Sequence, residues 1–270
     1  MRVLLCVNGA LTAHPAITYG IWLAALMETE VSLLGVVEAP DRRPAVENQL
    51  DEASRQLEEA GIPYQRLARE GACKEVVAAQ AATGEYLTVV GRLDRPPLRR
   101  WLRGRSIRRL LQTLEAPLFY VPAFRPDLKR MLLCLGGIGR SVGMVQVARQ
   151  LAEASQAEVT LLHVVERASF DYPPVRAAQD DWQQILSTET VQARHLRAAL
   201  EGLQAAGLSA RLRVQQGYVT EAILREIQAE DYDLVGLGSH YSAKGLRPLF
   251  APNVTINVAE GVDRPVLIAR

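Results

Sequence analysis

The sequence lacks the features that would place it outside the ordinary globular proteins. It has only three cysteines, Cys6, Cys73 and Cys134, and no C-x-x-C pair, which excludes a disulfide framework and a zinc site and predicts a reducing cytoplasm. No apolar run reaches the ~20 residues of a membrane-spanning helix. Lys and Arg number 31 against 30 Asp and Glu, so any binding of nucleic acid or another polyanion has to be local.

What the sequence does contain is an internal repeat. Residues 2–9, RVLLCVNG, reappear as RMLLCLGG at 130–137, an offset of 128. At the same offset VSLLGVVE, residues 31–38, becomes VTLLHVVE at 159–166. Two strands and the helix between them therefore align without a gap, and the two halves of the chain are related.

Further along the chain the offset between the repeats changes. LEEAG at 57–61 matches LQAAG at 203–207, which sets the offset at 146 and places an 18-residue insertion in the second half, near 167–184. The insertion is rich in aromatic residues and proline and follows the second strand of its half. A lid, a partner-docking loop and an ordered surface excursion are all compatible with it.

Each half alternates continuous apolar strands with helices, the pattern of an α/β protein whose parallel sheet is covered on both faces. Residues 122–128 carry two prolines and no periodicity and are predicted to be the linker, which gives domains at 1–124 and 128–270. The predicted strands lie near 2–8, 30–37, 63–69, 86–91, 117–121, 129–136, 157–165, 209–215, 232–237 and 265–269. The predicted helices include 14–28, 45–61, 73–83, 104–115 and a longest one near 180–206.

Ligands bind open parallel sheets at the carboxyl ends of the strands, where the strand order reverses. In each half the loop after the first strand and the loop after the fourth strand meet this edge. The fourth-strand loops begin at Gly91 and Gly238 and lead to the last helix, whose N-terminal N–H groups can hold an anion.

Two five-stranded units in tandem, with strands ending in VVE, a glycine loop before the last helix and a PVL-type final strand, resemble a tandem universal stress protein over nearly the whole chain. The resemblance implies two adenine nucleotide alpha hydrolase-like, Rossmann-like domains packed as an internal pseudo-dimer through the edges of their last strands. It also implies a stress-response sensor or regulatory module that binds ATP or ADP, with Mg only together with the nucleotide. Association of two chains into a homodimer is left open.

The nucleotide-binding members of that family carry an Asp at the end of the first strand and the pattern G-x2-G-x9-G-S/T after the fourth. The first half matches this pattern in part, because Asn8 replaces the strand-end Asp, Asp94 stands at the second glycine and Arg105 at the hydroxyl position. Nucleotide is therefore expected mainly in domain 1. The candidate binding residues of this half are Asn8, Gly9, Val36, Gly91, Gly104, Arg105, Ser106 and Ile107.

The second half departs further from the pattern, and a weaker or empty site is expected there. Gly136 takes the place of the strand-end Asp, Tyr241 stands at the second glycine, and Pro252, which has no N–H to offer a phosphate, occupies the third. The candidate binding residues of this half are Gly136, Val164, Gly238, Asn253 and Val254.

Residues 92–109 hold eight arginines and one acid, Asp94, a local charge of +7. An anion site, a docking site for a protein partner or polyanion, and a solvated charged loop all fit this segment. The alternative to the nucleotide sensor is accordingly a nucleotide-free interaction or adaptor module that retains the fold with degenerate motifs.

No catalytic set can be assembled from the sequence, so at most slow ATP hydrolysis is expected. His163 is predicted to be a packed strand histidine, His195 a helix-surface residue, and His240 a loop residue within reach of a ligand. Cys6 and Cys134 occupy equivalent strand interiors and are predicted to be packing residues. Cys73, which opens the third helix, is the one candidate for a reactive thiol.

Overall fold

The structure, a computed structural model, describes residues 1–10, 13–92, 106–136, 141–165, 189–238 and 254–269. Two compact units are present. Among the described residues, the first unit contains 1–126 and 263–269, and the second contains 127–238 and 254–262. The compact units follow the sequence repeats except at 263–269, and the division of the chain into domains at 1–124 and 128–270 stays a prediction.

The first unit is built on a sheet with the strand order β3-β2-β1-β4-β5-β10. All neighbours are parallel except β10, which runs antiparallel to β5 with Val266 opposite Tyr120 and Ile268 opposite Leu118. The elements of this unit are β1 (Arg2–Val7), α1 (His14–Leu26), β2 (Val31–Val37), a 3-10 turn (Pro40–Arg42), α2 (Arg43–Glu59), β3 (Tyr64–Glu70), α3 (Cys73–Ala81), β4 (Tyr86–Gly91), α4 (Ser106–Thr113), β5 (Leu118–Val121) and β10 (Val266–Ala269).

The second unit repeats this arrangement with the parallel order β9-β6-β7-β8, which corresponds to β4-β1-β2-β3. Its elements are β6 (Arg130–Cys134), α5 (Val142–Ser155), β7 (Glu158–Val165), α6 (Val191–Ala205), β8 (Ala210–Gln216), α7 (Val219–Ala229), β9 (Leu234–Gly238) and α8 (Val254–Gly261).

The strands form where the sequence is apolar without interruption, because helices cover both faces of each sheet. Every residue of β2, β4, β5 and β10 is buried, whereas the outer strand β3 is largely exposed. In the first unit α1 packs near α2 and α3 packs near α4, as expected when the strand order reverses once and the helices change faces between α2 and α3.

The element boundaries predicted from the sequence are confirmed to within two residues, with one exception. The helix predicted to be the longest, near 180–206, begins at Val191, so α2, with 17 residues, is the longest helix that the structure describes. The backbone of Thr190 is extended, and its hydroxyl accepts a hydrogen bond from the N–H of Ala193 at 3.2 Å. A threonine in this role stops a helix from extending toward its N-terminus, because the side chain takes the place of the preceding carbonyl.

Candidate functional site

In the first unit the strand order reverses between β1 and β4, and a small pocket lies at their carboxyl ends. Asn8, Val36 and Gly91, three residues selected from the sequence, line it together with Cys6, Cys73 and Arg92. Its volume is about 10 Å³, roughly the space of one water molecule. The crevice expected from the topology is therefore present, but it is nearly filled by its own side chains.

A buried glutamine of α2 holds the loop that follows β1. Gln49 is 6% exposed; its side-chain oxygen accepts from the N–H of Gly9 at 2.8 Å, and its amide nitrogen donates to the carbonyl of Ala10 at 2.6 Å. Gly9 has a φ of +76°, and a Cβ there would lie 3.0 Å from the Cβ of Ala45. The Gln49 clamp, as we call these two hydrogen bonds, thus fixes the loop against α2 at a position that requires glycine.

Asn8 uses its own carbonyl oxygen within this loop. The side-chain oxygen accepts from the N–H of Ala10 at 3.2 Å, which is an Asx turn. The turn directs the acceptor of Asn8 inward to the backbone, so the amide NH2 is the group that a ligand at this edge would meet.

A carboxylate and two thiols also lie at the edge. The side chain of Glu38, the residue after β2, accepts a hydrogen bond from the N–H of Cys73 at 3.0 Å and so caps α3. Burial, with the charges of Glu38 and Glu75, raises the pKa of Cys73 to about 12. Burial likewise raises the pKa of Cys6. Both thiols are neutral at physiological pH, so the structure gives no support to Cys73 as a reactive thiol.

The glycine loop and most of the arginine segment fall outside the described residues. Gly104 and Arg105 lie there, as do Asp94, the insertion near 167–184 and His240. Ser106 is the first residue of α4. The side chain of Ile107 is 2% exposed, so only its backbone can face a ligand.

Among the residues of the second unit that the structure describes, only part of the candidate set lines the pocket found there. Gly136 lines a pocket between α5 and α6 that includes neither Val164 nor Gly238. Val164 is half-buried near the end of β7, and the carbonyl of Gly238 accepts from the hydroxyl of Thr255 at 3.0 Å. Val254 is the first residue of α8, and Asn253 lies outside the described residues.

The histidines of this unit have structural surroundings that the sequence indicated only in part. His163 is buried, and its Nδ1 lies 2.9 Å from the carbonyl oxygen of Leu135. Because that oxygen can only accept, Nδ1 carries the proton, and the prediction of a packed histidine is confirmed. His195 is exposed as predicted, but it also lines the pocket between α5 and α6.

Burial also keeps the third cysteine inert. Cys134 is buried in β6, and desolvation, with the nearby charge of Glu226, raises its pKa. Cys6 occupies the equivalent position of β1 and is also buried, so the prediction that both are packing residues is confirmed.

Metal binding and membrane insertion find no support in the described part of the chain. No cluster of three or more His, Cys, Asp or Glu residues suited to an ion occurs within those ranges. No helix described there has both the length and the apolar character needed to cross a bilayer.

Sequence reasoning missed two residues that shape the first unit's edge, Gln49 and Glu38. A signal for Gln49 was available, because it is a polar residue on the apolar face of α2 and aligns with another polar residue, His195, in the second repeat. Glu38 ends the VVE strand motif and caps α3. This role could not be predicted from the sequence, because the order of the strands in the sheet decides which helix begins beside Glu38.

Known proteins resemble this chain both in sequence and in fold. The sequence profile of the universal stress protein family matches residues 128–270, more than half of the chain. A universal stress protein from Archaeoglobus fulgidus shares the fold with a TM-score of 0.69 at 13% identity, covering 100% of this chain and 96% of its own. A protein of unknown function from Pseudomonas aeruginosa gives a TM-score of 0.68 at 19% identity, covering 99% and 92%. No curated protein matches the sequence.

Proposed function

Since this chain belongs to the universal stress protein family, we propose that it is a stress-response module that binds an adenine nucleotide, ATP or ADP, in its first repeat. The proposal includes the first repeat as a second domain of the same family. The internal sequence repeat and the full-length fold match support that assignment.

The observation that carries the proposal is the meeting of Asn8, Val36 and Gly91 around one pocket, at the point where the strand order reverses. In this proposal the base lies over the ends of β1 and β2, within reach of the Asn8 amide. The phosphates lie toward the start of α4 at Ser106, since the first backbone N–H groups of a helix and the helix dipole favour negative charge. Any Mg binds only with the nucleotide, through its phosphates.

The pocket volume of about 10 Å³ limits how far a nucleotide can enter between the strand ends. A purine does not fit below Asn8 and Val36 without displacement of side chains, so the nucleotide lies across the strand ends. Glu38 adds a negative charge at the same edge, and this charge favours the base or ribose there over a phosphate.

The second candidate is a nucleotide-free interaction module that retained the fold. The same small pocket favours it, together with the Asx turn that occupies the acceptor of Asn8. Its interaction surface would be the arginine segment, of which Arg108 and Arg109 are exposed on α4.

The two candidates separate in one experiment on the full chain. Freshly purified protein is denatured, released nucleotide is identified by chromatography, and the emptied protein is titrated with ATP by calorimetry. We expect about one equivalent of nucleotide per chain. No released nucleotide and no heat at millimolar ATP would leave the interaction module as the function.

A matched pair of substitutions tests which repeat is occupied. Asn8→Asp restores the strand-end acid of the resembled family and replaces the ligand-facing NH2 by a carboxylate oxygen, which can accept from the ribose hydroxyls or the adenine amino group. It is expected to raise ATP affinity about tenfold, because a hydrogen bond to a charged acceptor is stronger than one between neutral groups. Gly136→Asp makes the same change at the aligned position of the second repeat and is expected to leave the titration unchanged. The opposite result would place the nucleotide in the second repeat.

A further inference from the structure

The second unit contains a pocket at the end of β6, lined in part by Gly136, and it belongs to a different repeat from the strand-end edge of the proposed nucleotide site. Its volume is about 180 Å³, and it runs between α5 and α6 beside the end of β6. Leu135, Ser141 and Leu196 are buried and form its floor. Val142 lies at its side and remains 54% exposed.

The pocket results from two differences between the repeats. In the first unit α2 packs mainly on β2, and a Cβ at Gly35 would lie 2.7 Å from the Cδ1 of Leu50. The aligned residue of β7 is His163, a buried imidazole. The space above Gly35 that α2 occupies is thus taken by a side chain in the second unit, and α6 packs mainly on β8 instead.

The second difference concerns the Gln49 clamp. In the first unit Gln49 ties α2 to the loop after β1 and closes the corresponding gap. The aligned residue of α6 is His195. Its side chain is exposed at the rim of the pocket and forms no hydrogen bond among the residues that the structure describes. The gap that α2 closes therefore stays open between α5 and α6.

The chemistry of the lining identifies the kind of molecule that fits. Val145, Leu196 and Ala199 give apolar walls, and none of the described lining residues is an acid, lysine or arginine. The volume slightly exceeds that of an apolar cavity of ~150 Å³ that holds benzene. A space between two helices with small residues on one wall favours a flat molecule, and a neutral one loses less solvation on entering it.

The rim adds hydrogen-bonding groups to this apolar space. Gln146, Gln192 and His195 are exposed at the mouth of the pocket, and their side chains have no hydrogen-bond partner within the described ranges. We propose that the pocket between α5 and α6 binds a small, uncharged aromatic heterocycle of one or two rings, with its ring between the helices and its polar edge at these three side chains.

The test uses indole as the probe, with the full chain and ligand-detected and protein-detected NMR. We expect indole to bind with a Kd below about 1 mM, since the best small ligands gain free energy efficiently for each atom, and to shift the methyl signals of Val142 and Val145. Indene, which has the same shape and lacks the ring N–H, is expected to bind about fivefold more weakly, the value of one hydrogen bond.

Two variants on α6 separate this pocket from other apolar surface. Ala199→Leu fills the space between the helices and is expected to weaken indole binding at least tenfold. Ala205→Leu, an exposed alanine of the same helix outside the lining, is the matched control and is expected to change nothing. The triple variant Gln146→Ala, Gln192→Ala and His195→Ala is expected to abolish the difference between indole and indene.

The outcomes are decisive in either direction. Absence of binding at millimolar indole, or binding that Ala199→Leu leaves intact, would overturn the proposal. The pocket does not share a lining residue with the strand-end edge of the first repeat, so indole binding is expected to be the same with and without ATP. Failure of this proposal would leave the nucleotide proposal standing, and the reverse also holds.

Discussion

The clearest prediction concerns the Gln49 clamp, because its two hydrogen bonds hold the loop that carries Asn8. Gln49→Met keeps the length and most of the volume of the side chain and removes both hydrogen bonds. A buried hydrogen bond contributes about 1 kcal/mol net, so the loss is expected to be about 2 kcal/mol. Gly9 and Ala10 are half-buried, so in the variant their backbone groups can form hydrogen bonds with water. The loss of stability therefore stays in this range.

The assay is amide hydrogen exchange of Gly9 followed by NMR, since its N–H is the donor to Gln49. A change of about 2 kcal/mol corresponds to an increase in exchange of about thirtyfold. Gln56→Met is the matched control, because Gln56 lies on the same helix and its side chain bonds only the nearby Glu52, at 3.3 Å. An increase of less than threefold for Gln49→Met, or an equal increase for the control, would refute the role given to the clamp.

Three further predictions test the packing and electrostatics of the two units. Glu226→Leu is expected to cost about 3 kcal/mol in urea unfolding, because Glu226 is buried and accepts hydrogen bonds from three side chains. Cys73 is expected to react with iodoacetamide at pH 7.5 roughly a thousandfold more slowly than a free cysteine, since only the thiolate attacks and its pKa is raised to about 12. Gly35→Ala is expected to lower stability by about 1–2 kcal/mol, because the added Cβ meets Leu50 at 2.7 Å.

Each of these three predictions has an outcome that would contradict it. Glu221→Leu, at an exposed acid in the first turn of the same helix, should cost under about 0.5 kcal/mol, and an equal loss at both positions would contradict the buried network. Alkylation of Cys73 at the rate of free cysteine would show that the thiol is accessible and ionised. A Gly35→Ala protein as stable as the parent would mean that α2 can move away from β2.

The raised thiol pKa values also give a direction for stability against pH. A group whose folded pKa lies above its unfolded value is protonated in the fold, while the unfolded chain ionises first. For Cys73 the unfolded pKa is about 9 and the folded pKa about 12, so its contribution is complete below pH 9 and is lost as the pH rises toward 12. Cys73→Ser is expected to flatten the fall in stability over this range, which urea unfolding at stepped pH values measures.

Much of the fold could be predicted because it depends on patterns that are local in the chain. Continuous apolar segments such as residues 31–37 and 86–91 can only be buried strands, and the alternation with helices selects a parallel sheet. The repeat at an offset of 128 established the two halves without any knowledge of contacts. The meeting of Asn8 with Gly91 followed from the rule that ligands bind where the strand order reverses.

The site itself could be predicted only in part, since its properties depend on side chains distant in the sequence. Asn8 was expected to bind a ligand, but the Asx turn engages its side-chain oxygen and leaves the amide NH2 for that role. Cys73 begins a helix, a position that usually favours a thiolate, but its burial beside Glu38 reverses the effect. In both cases the residue type was correct and the environment decided its chemistry.

The sequence by itself determined the α/β class, the duplication and the positions of the strands, because each depends on the order of apolar and polar residues along one segment. Only the tertiary structure decided which strand ends meet and that β10 packs antiparallel to β5 in the first unit. It also decided that α2 packs closely over Gly35 in one repeat, whereas the other repeat, with His163 at the aligned position, has a pocket between α5 and α6. A glycine and a histidine at aligned positions look like one substitution in the sequence. Whether the helix packed over that position lies close to the strand depends on the volumes of the surrounding side chains, which come from several segments of the chain.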